Sequence, residues 1–462
     1  MREGSAKREE AALTAGEPAV ATTMAGEAAV ATAFAGEAAM VEGALTNDGR
    51  EREKAEGRLF TPAFVSIVLA QLFSLTGEAV VRFALPLYVL NLTGSSTLYG
   101  IIGACGFIPY ALLMPIGGIL ADRLRKRRVM AVLDIVMACA AVAYVALDGV
   151  LDIVVVTIAV IMVLYAAEAV YRPTVQAAIP AVVPKGRVMQ ATAIASQVSA
   201  LTGMVGPVAG GLVFGFFGVD AIVAVGAVLF AVSCVLILAF VRIVHVPVPA
   251  GEGNPVALAR DDLGQAAAFL KKEPVLWKTM ILCFVMNLTV SACVMVGTPY
   301  LVTEVLGLSN QLMGAAEGVL AFGGLLGGLA VSIRPRAFSL PRIPRMLAVM
   351  AAAFLFPVAM LAFSGAPLAT YGVIVAANAV IMAMASAISV VCISYLQVET
   401  PRDLVGKVVA LAMAASVCAT PIGQLVFGPA YDFLPSFAPL LFVAVTTTAA
   451  AVLSRGVYRK LR

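Results

Sequence analysis

The sequence predicts an all-α integral membrane protein of twelve transmembrane helices in two pseudo-symmetric six-helix halves. Three observations carry that prediction. The 462-residue chain is 61% hydrophobic and 13% charged, with a mean hydropathy of +0.99, well beyond an average soluble domain. Its apolar residues gather into twelve runs, most of them near the roughly 20 residues that take a helix across a bilayer. Thirty of its 31 Lys and Arg residues lie in the two tails, in alternate gaps between those runs or, as Lys278, just inside the edge of a run.

Taken in order, each run is marked off by its flanks. The first, 62–90, follows the tail cations that end at Arg58, and it alone encloses a cation far from its ends, Arg82. The second, 98–120, ends at five cations within 123–128, and the third, 129–147, starts directly after them. The fourth, 153–169, is followed by Arg172, Lys185 and Arg187, and then come 191–217 and 221–241, closing at Arg242. The seventh, 275–302, starts after Lys271 and Lys272, and the eighth, 312–331, ends before Arg334. The ninth and tenth, 346–363 and 368–396, are bounded by Arg345 and Arg402. The last two, 408–427 and 437–453, follow Lys407 and precede the cations after Ser454. The gaps around Thr93, Asp148, Phe217, Gly307, Ser364 and Pro435 contain no cation. By the positive-inside rule both termini are expected in the cytoplasm, which requires an even number of crossings.

The expected organisation is a tail (1–58), a first half (59–242), a central cytoplasmic loop (243–274) and a second half (275–462). The tail contains the imperfect repeat AGEPAVATTM, AGEAAVATAF, AGEAAMVEGA. It lacks the basic start and apolar core of a signal peptide and has too few large apolar residues to build a core. A disordered or marginally helical tail is expected. Within the central loop, Asp262 to Lys272 has the pattern of a short amphipathic helix on the cytoplasmic face.

Composition also excludes function classes. The net charge of +4 is explained by topology and anionic headgroups, so no nucleic-acid partner is expected. The seven cysteines all lie in apolar runs without metal or redox spacing and read as small core residues. His245 is the lone histidine and sits at a helix end. With no soluble catalytic domain and no metal-ligand cluster, neither an enzyme nor a cofactor is expected. A monomer is expected.

Four acids lie inside or near the runs and divide by depth. Asp134 is six residues beyond Arg128, roughly 9 Å along a helix, and Glu168 and Arg172 stand four apart on one helical face. With Gly118, Asp122 and Arg123 they are assigned to a cytoplasmic latch. Glu78 lies about sixteen residues into the first run with Arg82 one turn beyond. A charge at that depth is costly unless paired or facing water, so both are proton-coupling candidates, with Glu317 of the eighth run next. Gln71, Phe83, Tyr88, Met286, Asn287, Asn378 and Gln424 are the expected wall of a central cavity.

The two halves echo each other. Gly206-Pro207-Val-Ala-Gly210-Gly211 in the fifth run corresponds to Thr420-Pro421-Ile-Gly423-Gln424 in the eleventh. Gly117-Gly118-Ile-Leu-Ala-Asp122-Arg123-Leu-Arg125-Lys126-Arg127-Arg128 is matched by Gly327-Gly328-Leu-Ala-Val-Ser332-Ile-Arg334, with serine in place of the acid. The former resembles the signature loop between the second and third helices of the major facilitator superfamily, whose members move small solutes by alternating access. In it, Gly118 is expected to admit a neighbouring helix. Gly206, Pro207, Gly210 and Gly211 resemble the motif of that superfamily's exporters. Gln71, Ser74, Gly77, Phe83-Ala-Leu-Pro86 and Arg172-Pro173-Thr-Val-Gln176 look like the macrolide-efflux and enterobactin-exporter branch. Arg125 stands where the signature loop usually has glycine, Thr202 where the exporter motif has one, and the fourth run lacks an arginine. The resemblance implies a proton-coupled exporter of amphipathic drugs or secondary metabolites in a bacterial inner membrane. Its implied partners are protons, a small-molecule substrate and the lipid bilayer. An uptake symporter or uniporter, or a membrane receptor or lipid-handling protein, are the alternatives.

Overall fold

A computed structural model describes residues 59–241, 255–402 and 404–458, excluding the side chains of 115, 116, 119, 122, 123 and 255–263. The repeat-bearing tail, His245 and the Asp122 and Arg123 side chains therefore lie outside the described residues. Met1–Leu59 with Val183–Val188 forms one unit, whose described part contains the 3-10 turn Lys185–Arg187. The rest of the chain forms the second unit, and its described residues contain helices and no strand.

Helices α1 (Pro62–Thr93), α2 (Ser96–Arg123), α3 (Lys126–Leu147) and α4 (Ile153–Val182) come first. A 53-residue helical stretch follows, Val188–Phe240. Straight, it would run about 80 Å, more than twice a hydrocarbon core of about 30 Å. Gly218 breaks it with φ 82° and ψ −176°, a backbone that in practice requires glycine. The stretch is therefore α5 (188–217) and α6 (219–240). Next are α7 (Pro255–Lys272), α8 (Pro274–Val305), α9 (Asn310–Ile333), α10 (Ile343–Phe363), α11 (Pro367–Glu399), α12 (Val405–Phe433) and α13 (Ala438–Tyr458). Eleven described stretches are long and apolar enough to cross a membrane, and the break at Gly218 makes them twelve crossing helices.

Local chemistry sets the ends. Thr61 caps α1 by accepting from the Phe64 N–H at 3.1 Å and donates its hydroxyl to the Val182 carbonyl at 3.2 Å. Gly94, at φ 65°, ends the helix and donates to the Leu90 carbonyl at 2.7 Å, the usual left-handed glycine stop. Two sequence expectations need correction. The fourth run ends at 169, but α4 continues through Pro173 and Pro180 to Val182. Proline is tolerated there because neighbouring helices cover the freed backbone groups. Glu168 therefore lies mid-helix. The expected amphipathic helix is also longer, Pro255–Lys272. Its Ala266 and Leu270 are buried with Leu276, Met280, Leu396 and Val408, so protein covers its apolar face.

Two apolar cores sit in the two halves. One joins Val81, Leu85, Tyr144, Leu164, Ile222 and Phe230, and the other Val290, Leu347, Phe354, Ile381, Cys392 and Tyr431. Small residues bring the halves together. A Cβ on Gly211 of α5 would lie 2.7 Å from the Gly314 Cα of α9, closer than real atoms pack, so only glycine permits this approach. Between α2 and α12 the same holds at Gly100, where a Cβ would meet the Gln424 carbonyl at 2.6 Å.

Candidate functional site

Between the halves lies a cavity of about 400 Å³, walled by α1, α2, α4 and α5 on one side and α8, α9 and α12 on the other. Its most polar wall joins α1 to α4. Arg82 Nη1 donates to Glu78 Oε1 at 2.7 Å and to Glu168 Oε2 at 2.5 Å. Arg172 Nε pairs with Glu168 Oε1 at 2.6 Å. The Arg82 guanidinium lies 3.7 Å from the centre of the Tyr165 ring, a cation–π contact that strengthens where water is scarce. Phe107 and Tyr110 support that ring at centroid distances of 5.2 and 6.2 Å. Glu78 and Glu168 are 4% and 5% exposed, so two buried carboxylates are offset by Arg82 and by the more exposed Arg172. Burying such charges is tolerable only when they are paired in this way.

The structure sorts the expected residues. Glu78, Arg82, Glu317, Phe83, Gln424 and Pro207 all line the cavity, and so do Glu168 and Arg172 of the expected latch. Asp134 leaves the latch as well. It is fully buried and accepts from Ser74 at 2.7 Å and Ser233 at 2.6 Å, tying α1, α3 and α6 together. This face of α3 turns inward, so the acid bonds serines of its own half. Arg127 instead donates to the Leu238 carbonyl. Gly118 has no neighbour that a Cβ would meet, whereas Gly117 lies against the Ala169 backbone of α4. The close approach is one residue early.

Five expected cavity residues sit elsewhere. Gln71 donates to the Ala195 carbonyl and to Ser199, fixing α1 to α5. Tyr88 meets Phe214 edge-on at 6.3 Å. Asn378 donates to Thr298 at 2.8 Å within the second half. Met286 and Asn287 line a separate cavity. The amide NH2 groups of Gln71, Asn287 and Asn378 each donate inside their own half, so helix rotation and not depth decides what faces the cavity. The glycine motif of α5 acts in packing: Gly206 lies on Ala79, Gly210 on Phe83 and Gly211 on Gly314.

Sequence reasoning missed Tyr165, one turn before Glu168, and a clasp at the end of the bundle where α2 begins. There Asp432 of α12 accepts from the Ser96 N–H at 2.8 Å, the Thr97 N–H at 3.0 Å and the Ser95 hydroxyl at 2.8 Å. A carboxylate from one half thus caps a helix of the other, which is favourable at an N-terminus. Asn91 donates to Asn310 nearby at 2.9 Å. The spacing of Ser95 and Ser96 before an apolar run was the available signal.

Two six-helix halves around a charged cavity have a counterpart in known proteins. The sequence profile of the Major Facilitator Superfamily matches residues 67–424. The chain belongs to the Major Facilitator Superfamily. Among relatives of this facilitator is the macrolide efflux protein A of Streptococcus pyogenes, 25% identical over 181 residues, or 39% of this chain. The match spans 44% of that relative's length. The multidrug efflux pump Tap of Mycolicibacterium fortuitum is 25% identical over 398 residues, 82% of this chain and 93% of the relative. An inward-facing, unoccupied bacterial homologue of the lysosomal transporter Spinster superposes with a TM-score of 0.62 at 16% identity, covering 86% and 95% of the two chains. A D-xylose–proton symporter gives 0.63 at 12% identity, over 85% and 96%. At these identities the structures share the fold. The facilitator is a multi-pass membrane transporter, not an enzyme.

Proposed function

We propose that this facilitator exports amphipathic drugs or secondary metabolites from the bacterial cytoplasm, driven by protons. The observation that carries the reading is the Glu78–Arg82–Glu168–Arg172 cluster on the cavity wall. One Arg82 nitrogen serves both carboxylates, so a proton on Glu78 removes one of its two partners and leaves the cluster with one excess positive charge. Charge in a cavity of low polarity is costly, which gives a cationic or neutral cargo and the proton different preferences for the two states. Alternating access then couples them. One proton moving through about 100 mV supplies about 2.3 kcal/mol, a roughly fifty-fold gradient of cargo.

The direction rests on the efflux relatives and on the α5 motif. Both termini lie in the cytoplasm in this reading, because alternate gaps hold the cations. The Asp432 clasp then closes the outer end of the cavity, and export requires it to open. Everted membrane vesicles from cells expressing the full chain test the reading with ethidium as probe. Acidifying the lumen should drive dye uptake into the vesicles, and dissipating the pH gradient should release it. Dye that moves only outward from these vesicles, or ignores the gradient, contradicts proton-driven export.

A further inference from the structure

Beyond the charged cavity, a second cavity of about 430 Å³ lies mainly between α8, α11 and α12, and no residue lines both. Its size falls within the range of small-molecule sites, about 300–1,000 Å³. No Asp, Glu, Lys, Arg or His is among its lining residues, and five methionines are, from Met114 of α2 to Met413 of α12. Thioethers are polarisable and flexible, so such a wall adapts to apolar bodies of different shape.

Two further observations separate this cavity from an ordinary packing gap. The first is its polar content. Ser291, Ser386, Ser389 and Ser416 line it, and among the described residues their hydroxyls make no hydrogen bond to the protein. Asn287 donates to the Cys283 carbonyl at 2.9 Å, and its amide oxygen has no protein donor. The wall is partly open, with Met114 and Met413 exposed, so these hydroxyls face the cavity and do not bond the carbonyl one turn back, as helix serines commonly do. The second is the backbone. Asn287–Ser291 is a π-helical turn, a form frequent at functional sites. Asn287 and Ser291, four residues apart, share one side of the helix, and both face the cavity.

We infer that this second cavity is a cargo subsite for uncharged, oxygen-bearing lipophiles, gripped by the methionines and oriented by the serine hydroxyls and the Asn287 amide. A permanent cation is excluded, since the wall has no carboxylate to offset its desolvation. The inference deepens the export reading by naming a cargo class, but binding here does not depend on proton coupling.

The test uses a native reporter, the Cys283 thiol on the cavity wall. The full chain in phosphatidylcholine nanodiscs is treated with N-ethylmaleimide, and labelling is read peptide by peptide, with exposed Cys139 of α3 as reference. Nile red, an uncharged dye with ring and carbonyl oxygens, should slow Cys283 labelling at least fivefold and leave Cys139 unchanged. Tetraphenylphosphonium should protect neither. The double change Ser386→Ala with Ser389→Ala should raise the half-protecting Nile red concentration at least fivefold. The readout is equilibrium protection without a pH gradient, so a failure of proton coupling does not count against the site. Equal protection by both probes, or protection by neither, overturns the inference. So does Cys283 that is blocked in nanodiscs without probe and labelled in detergent, because an acyl chain then fills the cavity. If the serine variant does not elute as a single species, the contrast between the two probes on the unmodified chain decides.

Discussion

In the first half, α1 and α4 meet through Glu78, Arg82, Glu168 and Arg172, whereas their counterparts in the second half, α8 and α11, meet through the neutral Asn378–Thr298 hydrogen bond of 2.8 Å. The two pairs hold equivalent places in a repeated fold and bury different chemistry. A neutral hydrogen bond has the same strength whatever the proton concentration. A cluster in which one guanidinium serves two carboxylates changes its balance with each proton gained or lost. In the proposed reading, the first of two similar bundles responds to protons and the second stays as it is. The second cavity, with its methionine and serine wall, lies on the unresponsive side.

The largest way to break that comparison is Arg82→Gln. It leaves Glu78 and Glu168 adjacent with Arg172 reaching only the latter, and an uncompensated buried charge costs about 3 kcal/mol or more. Thermal unfolding in detergent should fall accordingly, and pH-driven accumulation in proteoliposomes should drop at least a hundredfold. Near-normal accumulation would remove the first half's special role.

Asp432→Ala comes next, because the clasp joins the halves. Losing hydrogen bonds to a charged group is worth about 2 kcal/mol, or roughly a thirty-fold shift toward the state in which this end is open. Spin labels at positions 91 and 310 should report the longer distance in most molecules. An unchanged distance distribution means that the glycine contacts alone hold this end. Asn378→Ala should cost about 1 kcal/mol of stability while the pH profile of transport stays where it was. A displaced profile would mean that the second half also senses protons. The smallest effect is expected from Asp134→Asn. The amide still bonds both serines, so rates within twofold of the unmodified chain are the expectation, although Asp134 belongs to the charged half.

These contrasts show what the sequence could disclose. Twelve crossings were legible because hydropathy and cation spacing depend only on depth. Glu78 and Arg82 stood out for the same reason. Glu168 was assigned to the cytoplasmic latch, because the fourth run ends at 169 just before Arg172, while the helix continues to Val182. Gln71 and Asn378 looked like cavity residues because these helices are apolar on nearly every face, and depth alone says nothing of rotation. The Asp432 clasp was hidden in another way. Ser95 and Ser96 read as the start of a helix, but their partner lies more than 300 residues away in sequence.

The central claim, that a proton on Glu78 couples the cavity to the gradient, is tested most directly by Glu78→Gln in proteoliposomes. Glutamine mimics the protonated acid and cannot release a proton. Arg82 keeps its bond to Glu168, so the variant should fold, and the double change Glu78→Gln with Arg82→Gln, which removes the excess positive charge and keeps the Arg172–Glu168 pair, serves as the control for expression and folding. The account predicts that ethidium exchange at equal pH persists while accumulation against a gradient under an imposed pH difference disappears. If Glu78→Gln still concentrates the dye with an unaltered pH dependence, the coupled proton does not reside on Glu78.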